Sequence, residues 1–221
     1  MSEIKDAATI VLIRNYGSKA FVLMGKRSET ATFMPSKYVF PGGVWEKQDN
    51  FVPLSQDMSE KQKQLLMIKT GGTWNANLGV TVIRELWEET GLRLSSTGKF
   101  ENVPTSWEEF FFDNQGPDLS KLNFFFRAIT PPGRPRRFDT RFFFCNARNI
   151  FGDLEKFHKA SGELNDLQWI EIAKAGTLDL PKITIIAINR LLAVMAEGFK
   201  YQFIPFYSGG SDDFHIKKLM I

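Results

Sequence analysis

The sequence is poor in the residues that several common kinds of protein chemistry require. It has one cysteine, Cys145, which excludes an internal disulfide and favours a cytoplasmic setting. Because Cys145 lies in an apolar run, we expect a buried packing residue rather than a nucleophile. The two histidines, His158 and His215, are too few for a histidine-rich metal site and argue against a Ser-His-Asp triad.

Long apolar runs are also missing. No apolar run reaches the ~18 residues that a membrane-spanning helix needs. The first residues, MSEIKDAA, are charged and lack the apolar stretch of a signal peptide. The net charge of +3 is small, so overall electrostatics disfavour a nucleic-acid partner. We therefore expect a cytoplasmic protein with no membrane segment.

Apolar and aromatic residues, by contrast, are abundant. The 221 residues are 43% hydrophobic and include 21 phenylalanines. That is enough for one sizeable core, and no linker divides the chain, so we expect a single domain over residues 1–221. Phenylalanine clusters at 124–126 and 142–144, which predicts buried strands.

The hydrophobic patterning predicts strands and helices interleaved along the chain. The predicted strands are a hairpin over 7–27, a short strand within 38–43 that ends in Pro-Gly-Gly, two strands over 123–147 and one over 167–172. The predicted helices cover 57–72, 76–91 and 180–199. Residues 201–221 receive no assignment. This order indicates an α/β fold built on a mixed β-sheet.

The predicted helix over 76–91 carries three closely spaced acids. Glu85, Glu88 and Glu89 share one face, while apolar residues such as Ile83 and Leu86 lie on the other. Like charges at this spacing repel one another unless a cation compensates. Mg²⁺ and Mn²⁺ favour such oxygen ligands, but a solvated acidic face is an equal alternative on spacing alone.

The stretch RELWEETGL, residues 84–92, resembles the second half of the Nudix box, R-E-U-x-E-E-x-G-U with U aliphatic. Gly43, in the loop YVFPGG, resembles the glycine that opens the box. The resemblance implies an α/β/α sandwich and a hydrolase that cleaves a diphosphate joined to another moiety, with Mg²⁺ or Mn²⁺ as cofactor. It also allows a homodimer.

The spacing within this box departs from the family pattern. Gly43 and Arg84 are separated by 40 residues, whereas the standard box has 13. The early glutamate of the box then falls at Asp49 or at Ala76, and Asp49 can replace it only if the insertion follows it. We predict a helical insertion over about 44–75, which covers or extends the substrate site.

A second stretch, LMGKRSETATFMPSKYVFPGG, resembles the signature of Nudix coenzyme A diphosphatases. The positions that agree are Leu23, Arg27, Ser28, Phe40, Pro41, Gly42 and Gly43, and those that depart are Met24, Gly25, Thr32 and Ser36. The resemblance implies a small nucleotide-diphosphate substrate, with CoA or an acyl-CoA as the leading choice. ADP-ribose, NADH, dinucleoside polyphosphates and capped RNA stay open, as does a nucleotide-sensing module without catalysis.

The resemblance also implies roles for individual residues. Glu85, Glu88 and Glu89 would be metal ligands, joined by a backbone carbonyl of Gly42 or Gly43. Glu85 could instead accept the proton of the attacking water. Arg84 would hold a carboxylate in position, with an ordinary surface ion pair as the alternative.

Three further positions are candidates outside the box helix. The resemblance also implies a further acid from a late loop before a strand that contains a tryptophan, which makes Glu163, before Trp169, a candidate catalytic acid, with Asp166 as the alternative. Arg27 could contact phosphate or ribose, or could be an ordinary surface arginine, and Phe40 is a candidate substrate contact.

The arginine-rich stretch RPRRFDTR, 134–141, is best interpreted as a solvated loop. Contact of Arg137 with an anionic substrate is the next alternative, and nucleic acid is disfavoured.

Overall fold

A computed structural model of the chain describes residues 3–16, 18–31, 34–68, 77–157, 160–209 and 214–220. Within these ranges the α-helices are α1 (Glu60–Met67), α2 (Leu78–Thr90) and α3 (Lys182–Ala196). The strands are β1 (Ile4–Tyr16), β2 (Lys19–Arg27), β3 (Tyr38–Val39), β4 (Gly42–Val44), β5 (Arg93–Thr97), β6 (Gln115–Pro117), β7 (Asn123–Ile129), β8 (Arg137–Asn146), β9 (Ile150–Phe151), β10 (Leu164–Glu171), β11 (Phe203–Gly209) and β12 (Phe214–Met220).

A nine-stranded mixed sheet forms the centre of the fold. Its main path is β10-β2-β1-β8-β7-β11-β12, with β3 beside β2 and β4 beside β1. Strand β1 runs parallel to β8, and β7 runs parallel to β11, whereas β1–β2 and β7–β8 are antiparallel. A smaller sheet has the order β6-β5-β9. The predicted α/β fold with a mixed sheet is confirmed.

Helices cover both faces of the main sheet, because its central strands are apolar on both sides. In β1, Ile10 and Leu12 join the core beneath α1 and α2, whereas Val11 and Ile13 join the core beneath α3. This alternation follows from the two-residue period of a strand. The layers are therefore α/β/α.

The phenylalanine runs and the single cysteine lie in this core. Phe124, Phe125 and Phe126 are fully buried, and residues 142–144 are no more than 6% exposed. Cys145 is also fully buried, and its burial raises the pKa of the thiol to about 12. The predictions of buried strands and of a packing cysteine are both confirmed.

Helix α2 begins and ends close to its predicted limits. The side chain of Asn77 accepts a hydrogen bond from Val80 N at 3.3 Å, which caps the first turn. Gly91 ends the helix in the left-handed conformation with φ 77°, where a glycine avoids the steric penalty of a Cβ. Its N–H donates to Trp87 O at 2.7 Å.

Helix α1, within the predicted insertion, is shorter than predicted. Ser59 caps it, and Leu65 and Leu66 bury its inner side in the core. It packs on β7, and β8 separates that strand from β1. The described helix thus extends the core, and the prediction that the insertion covers or extends the substrate site stays a prediction, because residues 69–76 lie outside the described residues. Gly71 and Gly72, which end the predicted helix, lie outside the described residues.

The arginine-rich stretch is only partly the solvated loop that the sequence predicts. Arg134 and Arg136 are exposed, but Arg141 lies in β8 and is 1% exposed. Arg141 donates to Asp6 at 2.5 Å and forms an ion pair with Asp139 at 3.2 Å. The solvated-loop prediction is wrong for Arg141, because acids on the neighbouring strand and on its own strand compensate its burial.

The unassigned tail contributes the last two strands of the sheet. β11 and β12 form an antiparallel pair, and β11 joins the sheet beside β7. No helix in the described ranges is long and apolar enough to cross a membrane.

Candidate active site

Two glycines bring the Pro-Gly-Gly loop into close contact with β1 and α2. A Cβ at Gly42 would lie 2.7 Å from the Cα of Thr9, and a Cβ at Gly43 would overlap the carboxylate of Glu85. Only glycine therefore permits this approach without displacement of the strand or of the carboxylate. The loop and the acidic side of α2 meet as the sequence analysis expects.

Glu89 and Glu85 are the buried acids of this contact. Glu89 is 2% exposed and accepts a hydrogen bond from Gly42 N at 2.9 Å. Burial, reinforced by repulsion from Glu85, raises the pKa of Glu89 well above its ordinary value. Burial also raises the pKa of Glu85 to about 7, although attraction to Arg84 opposes the rise. The pair thus concentrates negative charge that the protein compensates only in part.

Arg84 binds the other acids of the site from inside the fold. It is 4% exposed, so the alternative of an ordinary surface ion pair is excluded. Its Nη1 donates to Glu85 at 2.9 Å and to Glu88 at 3.1 Å, and its Nη2 donates to the Val44 carbonyl at 2.9 Å. Burial alone would lower the pKa of Arg84, but hydrogen bonding to Asp49 and the nearby acids raise it overall. The guanidinium therefore stays charged and fixes two carboxylates.

Asp49 is the buried acid that holds Arg84. It is fully buried and accepts from Arg84 Nε at 2.9 Å. The Thr81 hydroxyl donates to it at 2.7 Å, and Glu46 N donates to it at 3.1 Å. Asp49 is the position at which the early acid of the box falls if the insertion follows it. Ala76, the other position, lies outside the described residues.

Glu163 lies close to these acids, in the loop that precedes β10. The loop is attached to α2 by a hydrogen bond from Ser161 N to the Glu88 carbonyl at 2.7 Å. The charge of Glu163 contributes to the raised pKa values of both Glu85 and Glu89.

Asp166, the alternative to Glu163, has other partners. It accepts a hydrogen bond from the Tyr38 hydroxyl and another, at 3.0 Å, from the Gln168 side chain. Of the two candidate acids, Glu163 is therefore the one that acts electrostatically on the acids of α2.

Arg27 is positioned beside the same cluster. It ends β2 opposite Leu164, the residue after Glu163. Its positive charge lowers the pKa of Glu89, against the larger effect of burial. Its buried Nε has no hydrogen-bond partner among the described residues. An anion at this position would supply one.

Two predicted substrate contacts are not brought to the cluster. Phe40 is 4% exposed and packs in the core beneath α3, so it offers no open surface. Arg137 lies opposite Ile4 at the start of β8, and its Nε donates to the Thr130 carbonyl. Thr9, which pairs with Gly42, lies five residues beyond Ile4 along β1, which is about 16 Å at the rise of a β-strand. The backbone of Arg137 is therefore about this far from the Pro-Gly-Gly loop.

The residues fit a hydrated divalent cation rather than a closed protein cage. Within the described ranges, no three His, Cys, Asp or Glu side chains are grouped so that they could hold one ion. Mg²⁺ commonly takes one or two carboxylates and fills its other positions with water and substrate phosphate. The raised pKa values of Glu85 and Glu89 mean that burial disfavours their carboxylate forms, and a bound cation would favour those forms.

The sequence analysis missed two parts of this site. One is Thr81, whose hydroxyl fixes Asp49, and the other is the Val44 carbonyl, which accepts from Arg84. Thr81 precedes Arg84 by three residues and so shares its helix face, which is a signal that was available. The contact with the Val44 carbonyl could not be predicted, because a backbone carbonyl leaves no signal in the pattern of side chains.

Comparisons with known proteins relate the chain to Nudix hydrolases. It is 27% identical over 211 residues to the Caenorhabditis elegans protein named "Putative nudix hydrolase 7", a match that covers 86% of this chain. The chain spans 61% of the length of that relative. No protein-family model matches the chain.

A solved structure gives the same relation. The crystal structure of a Nudix hydrolase from Alicyclobacillus acidocaldarius is 25% identical, with a TM-score of 0.61 over 87% of this chain and 93% of that one. The Nudix domain of Shewanella oneidensis NrtR, in complex with ADP-ribose, is 12% identical with a TM-score of 0.49, over 88% of this chain and 90% of that one. The α/β/α arrangement described above matches the Nudix fold, as predicted.

Proposed function

We propose that this chain is a Nudix pyrophosphohydrolase that depends on Mg²⁺ or Mn²⁺ and cleaves a nucleoside diphosphate linked to another moiety. The supporting observation is the buried Arg84, which joins Asp49 on one side to Glu85 and Glu88 on the other. A solvated acidic face would need no such buried support. The proposal takes residues 1–221 as one catalytic domain, with about 44–75 inserted in the box.

Each acid has a distinct part in the proposed reaction. Glu88, the most exposed of the three, and Glu89, held by Gly42 N, would bind the cation with a carbonyl of Gly42 or Gly43. When bound, the cation would neutralise charge on the phosphoryl oxygens and lower the pKa of a bound water. Glu85 would be a ligand or would accept the proton of the water, and its pKa of about 7 suits the second role.

The groups around the acids would position the substrate. Arg84 is a positioning residue, because it acts through the carboxylates that it holds. Arg27 would bind a phosphate with the guanidinium that has an unsatisfied Nε. Glu163, close to Glu85 and Glu89, would take the proton or complete the ligand set.

The leading substrate is CoA or an acyl-CoA, cleaved to an adenosine bisphosphate and a phosphopantetheine product. It rests on the resemblance of 23–43 to the coenzyme A diphosphatase signature. ADP-ribose, NADH and dinucleoside polyphosphates are the alternatives. The alternative of a sensing module without catalysis is weakened, because Asp49 supplies the buried acid that Ala76 could not.

A substrate screen with Mg²⁺ or Mn²⁺ tests the proposal. The screen compares the wild type with Glu88→Gln, and Glu60→Gln serves as a matched control because Glu60 is an exposed helix acid. We expect Glu88→Gln to lose at least about tenfold in turnover, as for other changes at metal-site residues, while the control keeps full activity. Unchanged turnover in Glu88→Gln would refute the assigned site. Nucleotide binding without product would favour the sensor.

A further inference from the structure

A cavity opens at the C-terminal end of α2. It has a volume of about 200 Å³, and Trp87 and Gly91 of this helix line it. The cavity is small compared with drug-sized pockets, which begin near ~300 Å³, so it suits a single ring system. Gly91 follows Glu88 by three residues, or about 4.5 Å along the helix axis. The cavity therefore begins about one helical turn beyond Glu88 along α2.

Two exposed aromatic rings form walls of this cavity. Phe112 is 63% exposed and Phe151 is 39% exposed, which is high for large apolar side chains. The guanidinium of Arg93 stacks on the Phe151 ring at 4.8 Å. The same guanidinium donates to the carbonyls of Phe110 and Phe112 at 3.0 and 3.1 Å. One partly exposed guanidinium thus contacts the Phe151 ring and the backbone of Phe112.

The charged groups at the rim disfavour a phosphate here. Arg93 is already bound to backbone carbonyls and to Asp113 at 3.5 Å, and Lys156 is paired with Asp153 at 3.3 Å. Glu109 adds a third acid to the lining. Carboxylates repel phosphate but accept hydrogen bonds from hydroxyl and amino groups. A planar, uncharged ring with hydrogen-bond donors fits this rim better than an anion does.

The chain connects the cavity with the acids of the site by two routes. One is α2, which carries Trp87 beside Glu88. The other is the segment after β9, in which Asp153 and Lys156 line the cavity and Glu163 lies near the buried acids. A ligand that fills the cavity would thus contact both the helix that carries Glu88 and the segment that leads to Glu163.

We propose that this cavity binds the nucleobase ring of the substrate by stacking it on Phe112 and Phe151, while the phosphates of the substrate, including the ribose phosphate of CoA, lie outside the acidic rim. The inference rests on the proposed function, since it assigns one moiety of the diphosphate substrate to a particular place. Stacking on aromatic side chains contributes on the order of 1–3 kcal/mol per base, which is a change in affinity of about fivefold to 150-fold. It acts on any base, so the rim acids would contribute most of the selectivity.

Binding of adenosine, measured by NMR titration, tests the cavity without any need for hydrolysis. We expect the double variant Phe112→Ala/Phe151→Ala to bind adenosine about tenfold or more weakly than the wild type. Phe199→Ala is the matched control, because Phe199 is 45% exposed but does not line this cavity. D-ribose, which lacks the ring, should not bind. Unchanged adenosine affinity in the double variant, or equal binding of ribose, would overturn the proposal.

Hydrolysis assays separate this proposal from the proposed function. The double variant should raise the KM for the nucleotide substrate and leave kcat within about twofold, because it removes a binding contact that takes no part in the reaction. Glu88→Gln should lose turnover and keep adenosine binding. If the wild type binds adenosine but cleaves no diphosphate, the cavity assignment stands and the enzyme assignment fails. If it cleaves diphosphates but adenosine does not bind, the cavity assignment fails alone.

Discussion

Replacement of Asp49 by asparagine removes one charge from the buried network and keeps its shape. Asp49 is fully buried and pairs with Arg84, which is 4% exposed. Loss of one member of a buried ion pair typically destabilises a protein by about 3–5 kcal/mol. Here Arg84 keeps Glu85, Glu88 and the Val44 carbonyl, and asparagine still accepts one hydrogen bond. We therefore expect Asp49→Asn to lower the free energy of unfolding by about 2–3 kcal/mol.

The measurement is urea unfolding of the metal-free protein, followed by tryptophan fluorescence. With an m-value of about 2–3 kcal/mol per molar urea, the expected loss lowers the midpoint by roughly 1 M at unchanged slope. Asp179→Asn is the control, because Asp179 is 67% exposed and pairs with Lys37 at the surface. That pair contributes at most about 1 kcal/mol. A midpoint for Asp49→Asn equal to that of the control would refute the buried network.

Three further outcomes are expected. Gly43→Ala should abolish diphosphate hydrolysis in a protein that still folds, since its Cβ would overlap the Glu85 carboxylate; activity within twofold of wild type contradicts this close contact. The metal-free protein should lose stability as the pH rises from about 4.5 to 7. The pKa of Glu85 is about 7 in the folded state and 4.5 in the unfolded chain. In this range the folded state therefore keeps a proton that the unfolded chain releases, which favours unfolding as the pH rises. Mn²⁺ should accordingly raise the Tm more at pH 8 than at pH 5, and an equal gain at both would show that it binds elsewhere. Cys145 should resist a thiol reagent at pH 8 until the chain unfolds, since its thiol is buried with a pKa of about 12, and rapid labelling of the folded protein would disprove that burial.

The sequence predicted best those elements whose signals are local. α2 combines an apolar side with a glycine at its end, and both features are readable within 16 residues. The phenylalanine runs predicted β7 and β8 because a strand buried on both faces is apolar throughout. The hairpin β11–β12 was missed, since its place in the sheet depends on pairing with β7, which lies far away in sequence.

The site was predictable where residue type alone carries the chemistry. Glu85, Glu88, Glu89 and Gly43 come together as their spacing and the family resemblance imply. Phe40 was not predictable in the same way, because a motif position does not show which side of a strand end faces the core. Burial decided that position, and burial is a property of the whole fold.

The pairing of Asp49 with Arg84 has a consequence for how much the intervening chain can change in length. The two residues are 35 positions apart, and their ion pair ties together the chain before and after α1. The entropic cost of closing a loop grows only with the logarithm of its length. In the ordinary box, eight positions separate the early glutamate from the arginine. A separation of 35 positions therefore costs roughly 1 kcal/mol more in free energy. The packing of Leu65 and Leu66 offsets a penalty of that order. The buried ion pair between Asp49 and Arg84 thus holds the acids in the same geometry even when the chain between the two residues is longer.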